Sequence, residues 1–144
     1  MPLLDKSAQF VTNRLPKVIN PKAHAIIDYA MAASFLAMGA FFWKRNKRAA
    51  VSSFLCGGAE LVTSIFTDYP GGVFGEISFE THGAIDFGLS GMAASMPDML
   101  RFHDERETTF FRLQGLALAT VAGLTDFTGT GRRSQLEKLD ELAA

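Results

Sequence analysis

The chain has 144 residues, 48% of them hydrophobic and 20% charged, with fourteen Lys and Arg against fifteen Asp and Glu for a net charge of −1. This length fits one domain; the apolar content excludes intrinsic disorder, the even charge excludes an electrostatic nucleic-acid binder, and a lone Cys56 excludes an internal disulfide framework. Mean hydropathy is positive (+0.14) although both ends are polar, so a membrane protein with polar ends is the first class to consider.

Residues 2–19 mix Leu3, Leu4, Phe10, Val11, Leu15 and Val18 with Lys6, Arg14 and Lys17. That mixture predicts an amphipathic helix over 1–20 lying in the membrane interface, without the unbroken apolar run and cleavage site of a signal peptide. Residues 24–43 keep their ionisable groups in the first turn, and about 20 helical residues cover the roughly 30 Å of a hydrocarbon core. Residues 49–67 and 108–127 are dominated by Gly, Ala, Ser and Thr, which let membrane helices pack closely, and read as spans two and four. The third span, 79–100, carries Pro97 and Asp98 near its end, where a kink or an exit to water is expected. None of these stretches shows the charged stripe of a soluble bundle helix. Gly129 and Gly131 predict the end of span four, and Leu136, Leu139 and Leu142 in the soluble tail 131–144 predict a short amphipathic helix.

The membrane domain, 21–130, contains a repeat. Sliding the sequence by 58 residues superposes His24 on His82, Ile27 on Ile85, Asp28 on Asp86, Met38 on Met96, Arg48 on Arg106, Leu55 on Leu113, Gly57 on Gly115, Ala59 on Ala117, Thr67 on Thr125, Asp68 on Asp126 and Gly71 on Gly129. These eleven identities over positions 24–71 exceed the roughly three expected from ordinary composition. Each unit, 21–72 and 79–130, is one helical hairpin, so the two are related by a pseudo-two-fold axis along the membrane normal and together form an all-α integral membrane four-helix bundle.

The repeat also gathers the polar residues. His24 and Asp28 are four apart and share a helix face, while Thr67 and Asp68 close span two on the same side. His82, Asp86, Thr125 and Asp126 repeat the arrangement, so two histidines and four aspartates collect at one end, where ionisable groups are costly unless paired or used. Three readings fit. In the first, each Asp accepts hydrogen bonds from His, Thr or helix N-terminal amides and clamps the hairpins together. In the second, His24, Asp28, Asp68, His82, Asp86 and Asp126 hold Zn, Mn or Fe in a mono- or dinuclear centre. The third makes the cluster a protonatable vestibule, with Glu60 inside span two as a carboxylate lacking any repeat partner, since Leu118 takes its place.

Other residues carry less. His103 reads as a solvated loop histidine, Cys56 beside Gly57 and Gly58 as a small packing residue, and Tyr69-Pro70-Gly71-Gly72 as turn chemistry. Trp43, Tyr69 and Phe79 at span ends read as interfacial anchors. Lys and Arg number seven on each side of the bundle; the short Lys44-Arg45-Asn46-Lys47-Arg48 turn tilts the assignment toward a cytoplasmic turn and an outer His/Asp cluster.

The segments PKAHAIIDYAMAASFL and SIFTDYPGGVFGEISFETHGAIDF resemble the duplicated pattern of the small bacterial membrane proteins called SPW-repeat proteins, in which H-x3-D opens each repeat and T-D-Y precedes the second. The Ser-Pro-Trp positions carry Ala37-Met38-Gly39 and Ser95-Met96-Pro97. The resemblance, over about 21–130, implies four spans in two hairpins and a bacterial inner-membrane location, with no activity attached. Together these readings predict a non-enzymatic accessory or assembly subunit, embedded in membrane lipids, that binds other membrane proteins or further copies of itself and has no nucleic-acid partner. The alternatives are a metal-binding enzyme or carrier built on the His/Asp cluster and a proton- or ion-coupled transporter built on Glu60.

Overall fold

The computed structural model describes residues 15–128 and 142–143. Residues 1–14 of the interfacial helix expected over 1–20, and most of the C-terminal tail, lie outside the described residues. Residues 15–20 are not helical.

Four helices follow in order: α1 (Pro21–Phe42), α2 (Lys47–Phe66), α3 (Phe79–Met99) and α4 (Glu105–Leu124). Their starts are written in the sequence. The Asn20 side chain accepts from the Ala23 amide at 2.9 Å with Pro21 opening the helix, the Asn46 side chain accepts from the Ala49 amide at 3.1 Å, and Ser78 does the same for Thr81 at 3.1 Å. Each cap satisfies one amide that the first helical turn leaves without a partner. Asp104 caps α4 without such a bond, because its carboxylate accepts from Asn46 Nδ2 at 2.6 Å and ties the two hairpin turns together.

Packing is tightest within each hairpin, α1 on α2 and α3 on α4; α2 also lies along α3, whereas α1 and α4 touch little. The two hairpins make similar close approaches. A Cβ on Gly57 would stand 2.9 Å from Phe35 Cβ and 3.1 Å from the Ala32 carbonyl, and one on Gly115 would stand 2.7 Å from the Ser90 carbonyl and 2.9 Å from the Ala94 amide. Ala32 and Ser90 are themselves 58 apart, so both hairpins close at the same register on the same glycine.

Two differences from the expected boundaries have local causes. The α3 helix runs through Pro97 to Met99, because the turn beyond it is stabilised by Phe102 N–H donating to the Pro97 carbonyl at 3.0 Å. The α4 helix stops at Leu124, ahead of Gly129, because Thr125 turns extended and pairs with Ile19. Thr67 does the same with Ile77 after α2. These bridges, Ile19 with Thr125 and Ile77 with Thr67, interchange when the sequence is shifted by 58 residues: each hairpin's entry segment pairs with the other's exit, which fixes both threonines at one end of the bundle.

The main core lies in the half of the bundle nearer the hairpin turns, around Phe35, Phe42, Phe102, Phe111, Met96 and Leu118. A smaller cluster, Ala25, Tyr69 and Phe79 with Phe127 against it, closes the other end. Polar residues are buried as well: His24, Asp28, Ser52, Ser53, Glu60, Ser64, His82, Asp86 and Glu107 are all inside, while Ile26, Leu55, Val62, Leu113 and Leu116 face outward.

Candidate metal centre

His24 and Asp28 sit one turn apart on α1, and His82 and Asp86 one turn apart on α3, so each pair projects from one helix face toward the bundle interior. These helices lie diagonally across the bundle, and their side chains meet where their backbones do not. His24 Nε2 is 3.2 Å from His82 Nε2. It is also 3.1 Å from Asp86 Oδ2 and 3.3 Å from Asp28 Oδ1, while His82 Nε2 is 3.2 Å from both Asp28 Oδ2 and Asp86 Oδ2. All four side chains are buried to within 2% of complete.

The far side of each imidazole fixes its protonation pattern. His24 Nδ1 lies 2.8 Å from Thr125 Oγ1 and His82 Nδ1 lies 2.8 Å from Thr67 Oγ1. A threonine hydroxyl has one proton. Thr125 gives its proton to the Val121 carbonyl and Thr67 gives its own to the Thr63 carbonyl, each at 2.6 Å. Each Oγ1 is therefore an acceptor toward histidine, each Nδ1 carries a hydrogen, and each Nε2 turns inward with its lone pair unless a second proton is added. Two nitrogen lone pairs and two carboxylates then converge with no donor among them, an arrangement that needs a cation at its centre or added protons on the rings or carboxyls.

The spacing is close to that around a metal ion. Tetrahedral Zn with bonds of about 2.0–2.1 Å has ligand–ligand edges of roughly 3.3 Å, and the imidazole–imidazole and imidazole–carboxylate gaps here run from 3.1 to 3.3 Å, with Asp28 turning Oδ1 to His24 and Oδ2 to His82. His24, Asp28, His82 and Asp86 offer one donor atom each, all four within 4.8 Å of one another. Imidazole and carboxylate suit Zn, Mn and Fe, and a His held through Nδ1–H by a fixed oxygen is the usual way a metal-binding imidazole is oriented.

Tyr69 completes the shell. Its hydroxyl donates to Asp28 Oδ2 at 2.9 Å, and burial together with the Asp28 charge pushes its phenol pKa up, so it remains a donor. Tyr69 and Phe79 are buried, not interfacial as expected: Phe79 and Phe127 stand edge-on to His24 with centroids 5.3 Å away, and Tyr69 lies 5.3 Å from His82. Trp43 alone of the three expected anchors is exposed, beneath the Lys47 ammonium at 3.6 Å.

Of the six ligands expected from sequence, the structure brings four together. Asp68 and Asp126 stay outside, because the extended backbone at Thr67 and Thr125 points the next side chain away from the axis. Asp68 instead faces Gly75, and Asp126 accepts from the Thr128 amide and hydroxyl at 3.0 and 2.6 Å. Glu60 is fully buried, and neither of its oxygens has a hydrogen-bond partner among the described residues; the charges it faces are Asp86, Asp28 and His82. Sequence reasoning missed Tyr69 as a partner of Asp28, although the Tyr69–Phe127 mismatch between repeats marks it as the half that differs. It also missed Glu107, buried at the turn end with Arg45 Nε at 3.4 Å.

Among the described residues, the fold and the cluster thus define an all-helical four-helix bundle with a buried His/Asp centre. Comparison with protein families, with curated proteins and with solved structures finds no match.

Proposed function

We propose that this chain is a small integral membrane protein whose two hairpins are joined by one buried divalent metal of the zinc class, held by His24, Asp28, His82 and Asp86, and that it acts as a non-enzymatic accessory subunit for other membrane proteins. The observation that carries the metal is the pair of inward Nε2 atoms at 3.2 Å, each held there by a threonine that has no proton left to give. Four protein ligands and complete burial leave no open position for substrate, which is the pattern of a structural metal and not of a catalytic one. Divalent charge balances Asp28 and Asp86 and leaves the centre neutral.

Membrane insertion is supported by α1 and α2, which are long and apolar enough to span a bilayer and have less than half of their apolar windows buried inside the bundle. Helices α3 and α4 match them in length at 21 and 20 residues but carry more charge at their ends; the SPW-repeat likeness supports counting them as spans of the same unit. Polar groups inside and Ile26, Leu55, Val62, Leu113 and Leu116 outside give the distribution that lipid, not water, favours. A partner-binding role is supported by Ala84, Gly88 and Gly91 on the exposed side of α3, where a Cβ on either glycine would meet nothing, a surface that admits a neighbouring membrane helix.

Elemental analysis of the detergent-purified protein beside a His24→Ala/His82→Ala variant tests the centre. One metal per chain in the wild type and none in the variant is the expected result. A wild type free of metal across Zn, Mn and Fe, with the variant merely less stable, would leave two crossed imidazolium–carboxylate pairs as a clamp. Copurification from native membrane in mild detergent tests the accessory role, which fails if the protein is recovered alone.

A further inference from the structure

The hairpin turns at the opposite end, residues 43–46 and 100–104, enclose a solvent-open cleft of about 550 Å³ whose lining includes Arg45, Lys47, Arg48, Arg101, His103 and Asp104. Four cations against one carboxylate give a formal charge of +3 with the histidine neutral. Among the described residues Arg45 is the one of these cations with a carboxylate partner, and Lys47 lies over the Trp43 ring at 3.6 Å. Arg45 reaches Glu107 only at 3.4 Å, and Arg48 donates at 3.3 and 3.4 Å to the carbonyls of Leu100 and Arg101 at the end of α3. The side chains of Arg101 and His103 have no hydrogen-bond or ion-pair partner among the described residues. Two 20-residue helices, α2 and α4, also start at this cleft, so the positive ends of both dipoles add to the same field.

Arg101 is the one non-glycine residue with positive φ (52°) among the described residues. It follows the last turn of α3, the place where glycine ordinarily relaxes the backbone, so the chain accepts strain there and keeps a guanidinium at the cleft. Around the rim, Phe41, Trp43, Met99 and Leu100 are exposed. A cationic cleft with an aromatic and aliphatic rim at the ends of membrane helices fits a charged headgroup whose acyl chains lie alongside.

We propose that this cleft binds a phosphate group, specifically the phosphate of an anionic phospholipid headgroup, with Arg48 and Arg101 presenting N–H forks to its oxygens and Lys47 supplying a point charge. The choice of lipid over a soluble phosphate rests on the membrane reading; the phosphate chemistry does not, and neither depends on the metal.

The test is thermal unfolding and native mass spectrometry of the full chain in a neutral detergent, with phosphatidylglycerol, phosphatidylcholine or inorganic phosphate added. Phosphatidylglycerol is expected to raise Tm by several degrees and to persist as a one-to-one adduct that weakens with salt, whereas phosphatidylcholine does neither. Arg101→Gly removes the cation while relaxing the backbone, so it is expected to keep its lipid-free Tm and metal content and to lose at least tenfold in lipid affinity; Lys47→Gln is a second, fully surface variant with the same expected direction. An equal Tm shift from inorganic phosphate overturns the lipid assignment in favour of a soluble phosphate ester. No shift from either probe, or equal lipid affinity in both variants and the wild type, overturns the site.

Discussion

The two hairpins are alike where the centre needs two-fold symmetry and unlike where it does not. His24 and His82, Asp28 and Asp86, Thr67 and Thr125, Gly57 and Gly115 occupy equivalent places and make equivalent contacts. Tyr69 against Phe127 and Glu60 against Leu118 break the equivalence. Tyr69 gives Asp28 a hydroxyl donor at 2.9 Å, whereas Phe127 has no hydroxyl to give and Asp86 Oδ1 has no partner among the described residues. The duplicated residues thus build a cavity of fixed size and ligand type, and the unpaired ones polarise it, giving one carboxylate a fixed second partner and leaving the other dependent on the centre itself.

The strongest way to break that symmetry is to remove its axis. The His24→Ala/His82→Ala variant should lose all bound metal, and leaving Asp28 and Asp86 buried without cations should cost about 3–5 kcal/mol, visible as a Tm fall of roughly 10 °C or more in a chain of this size. Acidification should do the same to the wild type reversibly: imidazole and carboxylate bind metal only when deprotonated, so metal is retained at neutral pH and released as pH falls, and a pH titration of metal content in detergent checks the direction. A centre made only of imidazolium–carboxylate pairs has no metal to release.

Next in size are the glycines. Gly115→Ala drives a Cβ into the Ser90 carbonyl and the Ala94 amide, backbone atoms that cannot step aside, and should cost about 1–3 kcal/mol. Gly57→Ala meets side-chain atoms first, Phe35 Cβ at 2.9 Å with Leu36 Cγ and the Ala32 carbonyl at 3.1 Å, and should cost less. Chemical denaturation of both in detergent ranks them; the reverse order would mean that the second hairpin is the more adaptable one.

Tyr69→Phe converts the first repeat to the pattern of the second. Losing one hydroxyl donor beside a ligand should weaken metal binding by about 10–100-fold while the helices remain folded, measured by competition with a chelator. Unchanged affinity would show that the two carboxylates are already equivalent.

Much of this was legible in the sequence. The four helices and the His–Asp spacing follow from local periodicity and from the sequence's self-similarity at 58 residues. Convergence of the two pairs was not legible, because α1 and α3 meet diagonally and only through side chains. Asp68 and Asp126 have the right chemistry at the right end, yet the side chain that follows an extended threonine leaves the axis, a backbone turn that residue type does not encode. Tyr69 and Phe79 read as interface anchors because aromatic residues at helix ends commonly are; their burial depends on the loop 67–78 folding back across the histidines, held by Asp68 N–H on the Ile77 carbonyl at 2.8 Å.

The smallest expected effect concerns Glu60, and it separates the scaffold from a conducting protein. Both carboxylate oxygens are buried without hydrogen bonds among the described residues, so the group costs stability wherever it is not used. Glu60→Leu installs the residue that the second repeat has at Leu118, and in a scaffold it should retain full metal occupancy and be neutral or stabilising by about 1 kcal/mol. The more conservative Glu60→Gln should likewise leave metal and Tm unchanged. In a protein that moves protons or ions, the same two variants would instead abolish a pH-driven flux in reconstituted vesicles. A wild type without such a flux, and variants as stable as it or more so, would make Glu60 a tolerated remnant on the half of the duplication that also has Tyr69.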